Sequence, residues 1–236
     1  IGLWRIGGNM KTPAMFLYRK PENMKVFRLM TEIAYDVMDL ENIQEEISEV
    51  ISHILTISEK MGFRNNLWKD YVAYTIAANE NVFSISCERK GYIEGSINRA
   101  AIHDFEVLMK VFNTDLYIFD YKYNTNLSLL TDFINNNEDD KYFNKRIRNS
   151  ITDMADRLSQ ADNVESFMKI VCRYYEEVGV GKFGMFKAFR INHRDNADSV
   201  MIEPVTSVEH IYLNDLIGYE SQKKKLTDNT EAFLDG

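Results

Sequence analysis

Ile43-Gln44-Glu45-Glu46-Ile47-Ser48-Glu49-Val50-Ile51-Ser52-His53-Ile54-Leu55-Thr56-Ile57 is the stretch on which the fold class turns. Its apolar residues, Ile43, Ile47, Val50, Ile51, Ile54, Leu55 and Ile57, recur at the spacing that lines one face of an α-helix. Gly62 follows as a helix C-cap, because glycine adopts left-handed backbone without a Cβ penalty. Upstream, Val26, Phe27, Met30, Ile33, Ala34, Val37 and Met38 form a second apolar stripe. Only a few residues around 40–42 join the two, so an antiparallel helical hairpin is the expected packing.

The helical pattern continues outward from this pair. The prolines are Pro13, Pro21 and Pro204, which leaves residues 22–203 free of a break costing ~3 kcal/mol inside a helix. Periodicity predicts further helices over 67–78, 97–112, 142–158 and 164–178, with a short unassigned segment at 82–87 and a loop marked by Gly91 and Gly95. Asn113-Thr114-Asp115 reads as a helix stop followed by an N-cap. Residues 116–134 are dense, aromatic and irregular, and are read as helical. Asn135-Asn136-Asn137-Glu138-Asp139-Asp140 reads as a turn or loop. Residues 183–191, rich in aromatics, are read as a strand. Residues 199–202 would be its partner across a polar loop, although no tight two-residue turn signal joins them. A last helix is expected over 220–234, and no fixed-period repeat suggests a solenoid. The expected fold is mainly α: a multi-helix N-terminal domain (1–178), a β-hairpin-like, strand-containing connector (179–207) and a terminal segment (208–236).

Composition narrows the function classes. A chain of 236 residues, 45% hydrophobic, can bury the core of one large domain or two small ones. A net charge of −8 argues against a general nucleic-acid binder, whose footprint would be basic. Lys223-Lys224-Lys225, the one basic triple, reads as a solvated helix face. The 13 tyrosines and 14 phenylalanines lack interleaved basic residues, so they suit core packing better than a stacking platform for single strands. No apolar run approaches the ~20 residues that span a bilayer, and the opening residues have no signal-peptide pattern. Cys87 and Cys172 stand far apart and outside metal-ligand spacing. They are read as two buried thiols in a reducing cytoplasm rather than a disulfide framework. The start at Ile1 and the stop at Gly236, just after a helical pattern, read as part of something longer.

Most candidate chemistry dissolves on inspection. Gly179-Val180-Gly181-Lys182-Phe183-Gly184 has the letters of a dinucleotide fingerprint, but that motif needs a strand before the glycines and a helix after them. Here a helix precedes and a strand is expected to follow. Phe183 also stands where a phosphate-binding loop needs Ser or Thr. A helix C-cap and entry turn is the better reading. His53, His103, His193 and His210 are scattered without a metal-ligand pattern, so no metal is expected. There is no G-x-S-x-G nucleophile motif. His103 and Asp104 are adjacent on a helix and do not face each other, so they read as helix surface. Asp139-Asp140 and Asp195-Asn196-Ala197-Asp198 lack the calcium-loop spacing. No catalytic residue is assigned.

The informative segment is Asp215-Leu216-Ile217-Gly218-Tyr219-Glu220, where an apolar pair precedes a glycine and a polar helix follows with an acid in its first turn. Such a segment builds an apolar ledge where backbone can approach a flat ligand. It resembles the segment that opens AAA+ modules, which lies shortly before the Walker A loop and packs around adenine. The longer run, with Gln222-Lys223, Leu226, Asn229-Thr230-Glu231 and Phe233-Leu234, resembles the AAA+ ATPase family catalogued as domain of unknown function 815. Looser likeness to that family lies in Asn79-Glu80-Asn81-Val82-Phe83-Ser84 with Glu88-Arg89, and in Tyr174-Tyr175, Gly179-Val180-Gly181-Lys182-Phe183 and Ala188-Phe189-Arg190. It covers about residues 65–236, and residues 1–64 match only as a generic helical region.

The resemblance implies that residues 208–236 are the entry segment of an α/β AAA+ module. Leu216, Ile217, Gly218 and Tyr219 would border the adenine, with ATP and Mg as cofactors of the whole protein. This sequence contains no Walker A lysine, Walker B carboxylates or sensor residues, so the chain by itself is expected to bind no cofactor and to be inactive. The implied role is a cytoplasmic adaptor or substrate-recognition region, homo-oligomeric through the ATPase module and meeting an unidentified protein partner. A free-standing, non-enzymatic helical interaction module is the competing reading. A nucleic-acid-associated module using the aromatics and Lys223–Lys225 is a weaker third.

Overall fold

The computed structural model describes residues 5–6, 9–10, 12–134, 144–193, 200–205, 213 and 217–235. Two short strands, β1 (Arg5–Ile6) and β2 (Asn9–Met10), pair antiparallel with Arg5 opposite Met10. Helices then follow in series: α1 (Met24–Tyr35), α2 (Ile43–Met61), α3 (Leu67–Ala78), α4 (Val82–Lys90), α5 (Ser96–Phe112), α6 (Leu116–Tyr123), α7 (Lys145–Leu158), α8 (Val164–Val178) and the short α9 (Gly181–Met185). The antiparallel pair β3 (Phe189–His193) and β4 (Val200–Pro204) places Ile191 opposite Ile202, and α10 (Glu220–Asp235) closes the order. The protein is mainly helical, as the periodicity predicts, with two small antiparallel sheets. Among the described residues, no helix is long and apolar enough to cross a membrane.

Asparagine starts most of these helices. Asn23, Asn66 and Asn144 each accept a hydrogen bond from a backbone N–H of the first turn, a contact typically worth ~1 kcal/mol. Asn81 and Asn163 go further and form reciprocal capping boxes with Ser84 and Ser166. The box at Asn81 explains why residues 82–90 are helical although their apolar periodicity is too weak to show it. Gly62 ends α2 at φ 74°, the left-handed cap its position predicts. Asp115 caps α6 by accepting from the Tyr117 and Ile118 amides.

The irregular stretch 116–134 resolves into α6 and a 3₁₀ turn at Leu127–Leu130. Asp120 ties the two together, accepting from Leu127 N (2.7 Å), Ser128 N (2.8 Å) and Thr125 Oγ1 (2.6 Å). The loop expected at 135–140, and residues 142–143 of the next expected helix, lie outside the described residues.

The strand expected over 183–191 requires correction. Residues Gly181–Met185 are helical and β3 begins only at Phe189. Burial gives the reason: Met185 and Phe186 are neighbours, yet both are buried in the core, which a strand with period-2 alternation cannot achieve. The aromatics Phe183, Phe186 and Phe189 stand three residues apart, a spacing that suits a helical turn better than the alternation of a strand.

Helix α3 lies at the centre, packed against α2, α5, α7 and α8, and is buried around nearly its whole circumference. Trp68 is enclosed there, with its indole Nε1 donating to the Val111 carbonyl at 2.8 Å. Phe105 contacts Phe83, Phe167 and Tyr18 at ring separations of 5.3, 6.1 and 5.4 Å, and Phe112 meets Phe167 at 5.6 Å. Core packing therefore absorbs these aromatics. The chain divides into two compact units, Ile1–Thr206 and Ser207–Gly236. The first holds the core. The second contains α10, whose described side chains are exposed or, at Lys223, half-buried.

Candidate functional site

The ledge residues lie just before α10. Leu216 is outside the described residues. Ile217 is 95% exposed and Tyr219 is 69% exposed. Gly218 sits at φ +87°, with open space where a Cβ would stand, and Tyr219 follows at φ +65°. Left-handed backbone is uncommon for an aromatic residue and costs free energy. The Tyr219 carbonyl accepts from Gln222 N (3.0 Å) and Lys223 N (2.9 Å), so this turn leads directly into the helix. Chemically, the segment offers an aliphatic and an aromatic side chain around a bare backbone position. Lys223 Nζ is engaged with Glu220 Oε1 at 3.0 Å.

The other glycine cluster is a packing device. Gly179 caps α8 at φ +98°, and its amide donates to the Tyr175 carbonyl. Gly184 lies so close that a Cβ on it would fall 2.3 Å from the Gly179 carbonyl carbon. The Val180 amide donates to Glu88 Oε1 (3.1 Å), which pins the turn to α4. These glycines allow a tight reversal against a neighbouring helix.

Cys87 on α4 and Cys172 on α8 are both buried and form a disulfide, with Cα atoms 5.2 Å apart. This corrects the expectation of two separate buried thiols. The two residues are 85 positions apart, and only the packing of α4 on α8 brings them together.

His53, His103 and Asp104 have structural partners, whereas His210 lies outside the described residues. His53 accepts from Asn23 Nδ2 (3.3 Å) and packs edge-on against Tyr71, and burial lowers its pKa. His103 Nε2 donates to the Ala14 carbonyl at 3.0 Å, and its ring stacks on Phe16. Asp104 is fully buried rather than on a helix surface. Its carboxylate accepts the backbone amides of Phe16 (2.8 Å), Leu17 (2.7 Å) and Tyr18 (3.0 Å), which anchors the segment before α1. Among the described residues, no group of three or more His, Cys, Asp or Glu side chains is placed to hold a metal ion.

A polar cavity of about 430 Å³ lies between the start of α3 and one face of α7. Its lining includes Arg64, Lys69, Asp70, Arg148, Thr152 and Asp156. Asp70 is only 6% exposed. Burial, reinforced by the nearby Asp156 charge, pushes its carboxyl up to about 7. Lys69 Nζ donates to Ser159 Oγ (3.0 Å) across the cavity wall and lies 4.9 Å from the Phe112 ring centroid. Burial lowers the Lys69 pKa. Sequence reasoning missed this site because its carboxylates sit on helices far apart in the chain. The faint signal was the polar residues on the α7 face, Arg148, Thr152, Asp156 and Ser159, which the packing turns inward toward the cavity.

The fold thus defines a mainly helical protein whose first unit carries the core and the cavity and whose second carries the ledge. Residues 185–236 match the model of a family described as protein of unknown function (DUF815). The match takes in β3, β4, the ledge and α10, and not the looser likeness noted from residue 65 to 184. No curated protein and no solved structure matches the chain.

Proposed function

We propose that this chain is the N-terminal helical region of an AAA+ ATP-binding protein, acting as an adaptor or substrate-recognition part beside an ATPase core that the chain does not contain. The observation that carries the reading is the family match at residues 185–236, which includes the AAA+-like segment 215–220. The exposed ledge supports it: Ile217 and Tyr219 flank a glycine in left-handed backbone, a surface suited to a flat base. Leu216, Ile217, Gly218 and Tyr219 border the adenine in this reading, and ATP and Mg are held by the downstream module. Assembly into a homo-oligomer through that module, a protein partner for the helical region and a cytoplasmic location belong to the same proposal.

The test begins with the gene beyond the Gly236 codon, which should encode a glycine-rich loop ending in Gly-Lys-Ser or Gly-Lys-Thr. The extended protein should gain thermal stability with ATP and Mg, by about 2.7 kcal/mol at a hundred times Kd. The present chain should gain none, and Ile217→Asp in the extended protein should weaken ATP binding. A reading frame that ends near Gly236, or continues without such a loop, overturns the proposal. That outcome would favour a free-standing helical interaction module, a reading supported by the complete core that residues in Ile1–Thr206 build for themselves.

A further inference from the structure

We propose that the Cys87–Cys172 disulfide is a reversible redox switch, opened by a thiol reductant of the glutathione class, whose state governs how firmly α4 holds the turn before β3. Two independent features point there. The first is where Cys87 lies. It is the last buried residue of α4, and the exposed Glu88, Arg89 and Lys90 after it lead into a loop that starts at left-handed Gly91. The second is what that helix end carries. Glu88 Oε1 accepts from the Val180 amide at 3.1 Å, so the end of α4 pins the turn at residues 179–184. The bond and the pin thus sit on neighbouring residues of one exposed helix end.

Local opening supplies the access. Cys87 and Cys172 expose 3% and 0% of their surface, so a reductant does not reach the sulfurs while α4 is closed. Helix ends open at far lower free energy than a core does. The other end of α4 is fixed by the Asn81–Ser84 box and by buried Phe83, so opening starts at the Gly91 end and uncovers the Cys87 sulfur first. A thiolate of the reductant then attacks Cys87 Sγ, the S–S bond breaks, and the Cys172 thiolate leaves and takes up a proton. A second reductant thiol attacks the mixed disulfide. This frees Cys87, which is protonated in turn, and leaves the reductant as its own disulfide, two electrons and two protons having passed to the protein.

The consequence reaches beyond α4. Once the bond is open, the helix is held by its small buried face of Phe83, Ser84 and Cys87, and its last turn loosens. Glu88 then loses its fixed place beneath the Val180 amide. The turn it pinned is tightly made, because a Cβ on Gly184 would fall 2.3 Å from the Gly179 carbonyl carbon. It runs through α9 into β3, and the family match begins at residue 185. The redox state of the α4–α8 contact is thereby felt where the matched segment starts. Disulfides in reducing compartments are usually of this transient, sensing kind. The inference does not depend on an ATPase module following the chain.

The experiment is native-state reduction of the 236-residue chain, purified in air, with graded mixtures of reduced and oxidised glutathione. Alkylation and mass spectrometry count the thiols, and hydrogen exchange reports the structure. Millimolar reduced glutathione should open the bond without denaturant, and oxidised glutathione should close it again. The reduced chain should stay folded and unfold roughly 5–15 °C lower than the oxidised one. Its amides at 84–91 and 179–186 should exchange about tenfold faster, with α2 unchanged. The chain carrying both Cys87→Ser and Cys172→Ser should match the reduced parent in either buffer. Glu88→Ala should speed exchange at 179–186 while the bond stays closed. The proposal is overturned if the bond yields only on global unfolding, which marks a permanent staple. It is equally overturned if the air-purified chain carries two free thiols, or if reduced and oxidised chains exchange alike.

Discussion

In the first unit, Val26, Leu67, Phe105 and Cys172 expose none of their surface, whereas in α10 Leu226, Phe233 and Leu234 stand 56%, 84% and 77% open. Both regions are helical and both place apolar residues at helical spacing. The difference is whether anything covers them. Helices such as α3 and α5 are stabilised chiefly by burial, at ~25 cal/mol per Å² of apolar surface removed from water. Helix α10, taken by itself and among the described residues, shows local contacts, such as Thr227 and Thr230 donating to the carbonyls four residues back. A lone helix of that length is marginal in water. Secondary structure and stability are thus separate achievements in this chain.

The strongest challenge to that comparison is Trp68→Ala. It removes a buried indole and its hydrogen bond to the Val111 carbonyl, and should cost about 3–5 kcal/mol, read as a lower urea midpoint. A loss under about 1 kcal/mol would mean the first unit does not depend on its core. Next in size is Asp104→Ala, which leaves the amides of Phe16, Leu17 and the buried Tyr18 without their acceptor. It should cost about 2–4 kcal/mol and open the segment before α1 to proteolysis.

A smaller effect of opposite sign is expected from Asp70→Asn. Folding raises this carboxyl from its ordinary range to about 7, so the folded state keeps a proton that the unfolded chain has already lost. The stability linked to this group is therefore fully present below about pH 4, declines as pH rises toward 7 and is level above it. The variant should gain about 1–2 kcal/mol over the parent near pH 8 and almost nothing near pH 4, measured by urea titration at both values. Smallest of all, Phe233→Ala should change the unfolding free energy by less than about 0.5 kcal/mol. Hydrogen exchange should find the α10 amides far less protected than those of α3. Slow exchange in α10 would show that it is covered in solution.

Local signals account for how much was legible. The stripe from Ile43 to Ile57, the glycine at 62 and the N-cap at Asp115 all act within a few residues of chain, so periodicity and cap chemistry reveal them. Helix α4 was less legible because its evidence is the Asn81–Ser84 box rather than an apolar stripe. The strand at 183–191 was misread because its aromatics, Phe183, Phe186 and Phe189, stand three apart, which is helical spacing and not a strand's alternation. The ledge at 216–219 was legible as a resemblance, and the family match covers it, but its nucleotide role remains a proposal.

By itself, the sequence determined that this protein is mainly helical, where most of its longer helices lie, and that residues 215–220 are the segment to examine. Those features depend on torsional preference and on neighbours three or four positions away. Only the tertiary structure decided that Cys87 meets Cys172, that Asp104 turns inward to hold the chain before α1, and that Asp70 and Asp156 share a cavity. Each joins residues some 85 to 90 positions apart. Such distances are set by how helices pack, and no local pattern of side chains encodes them.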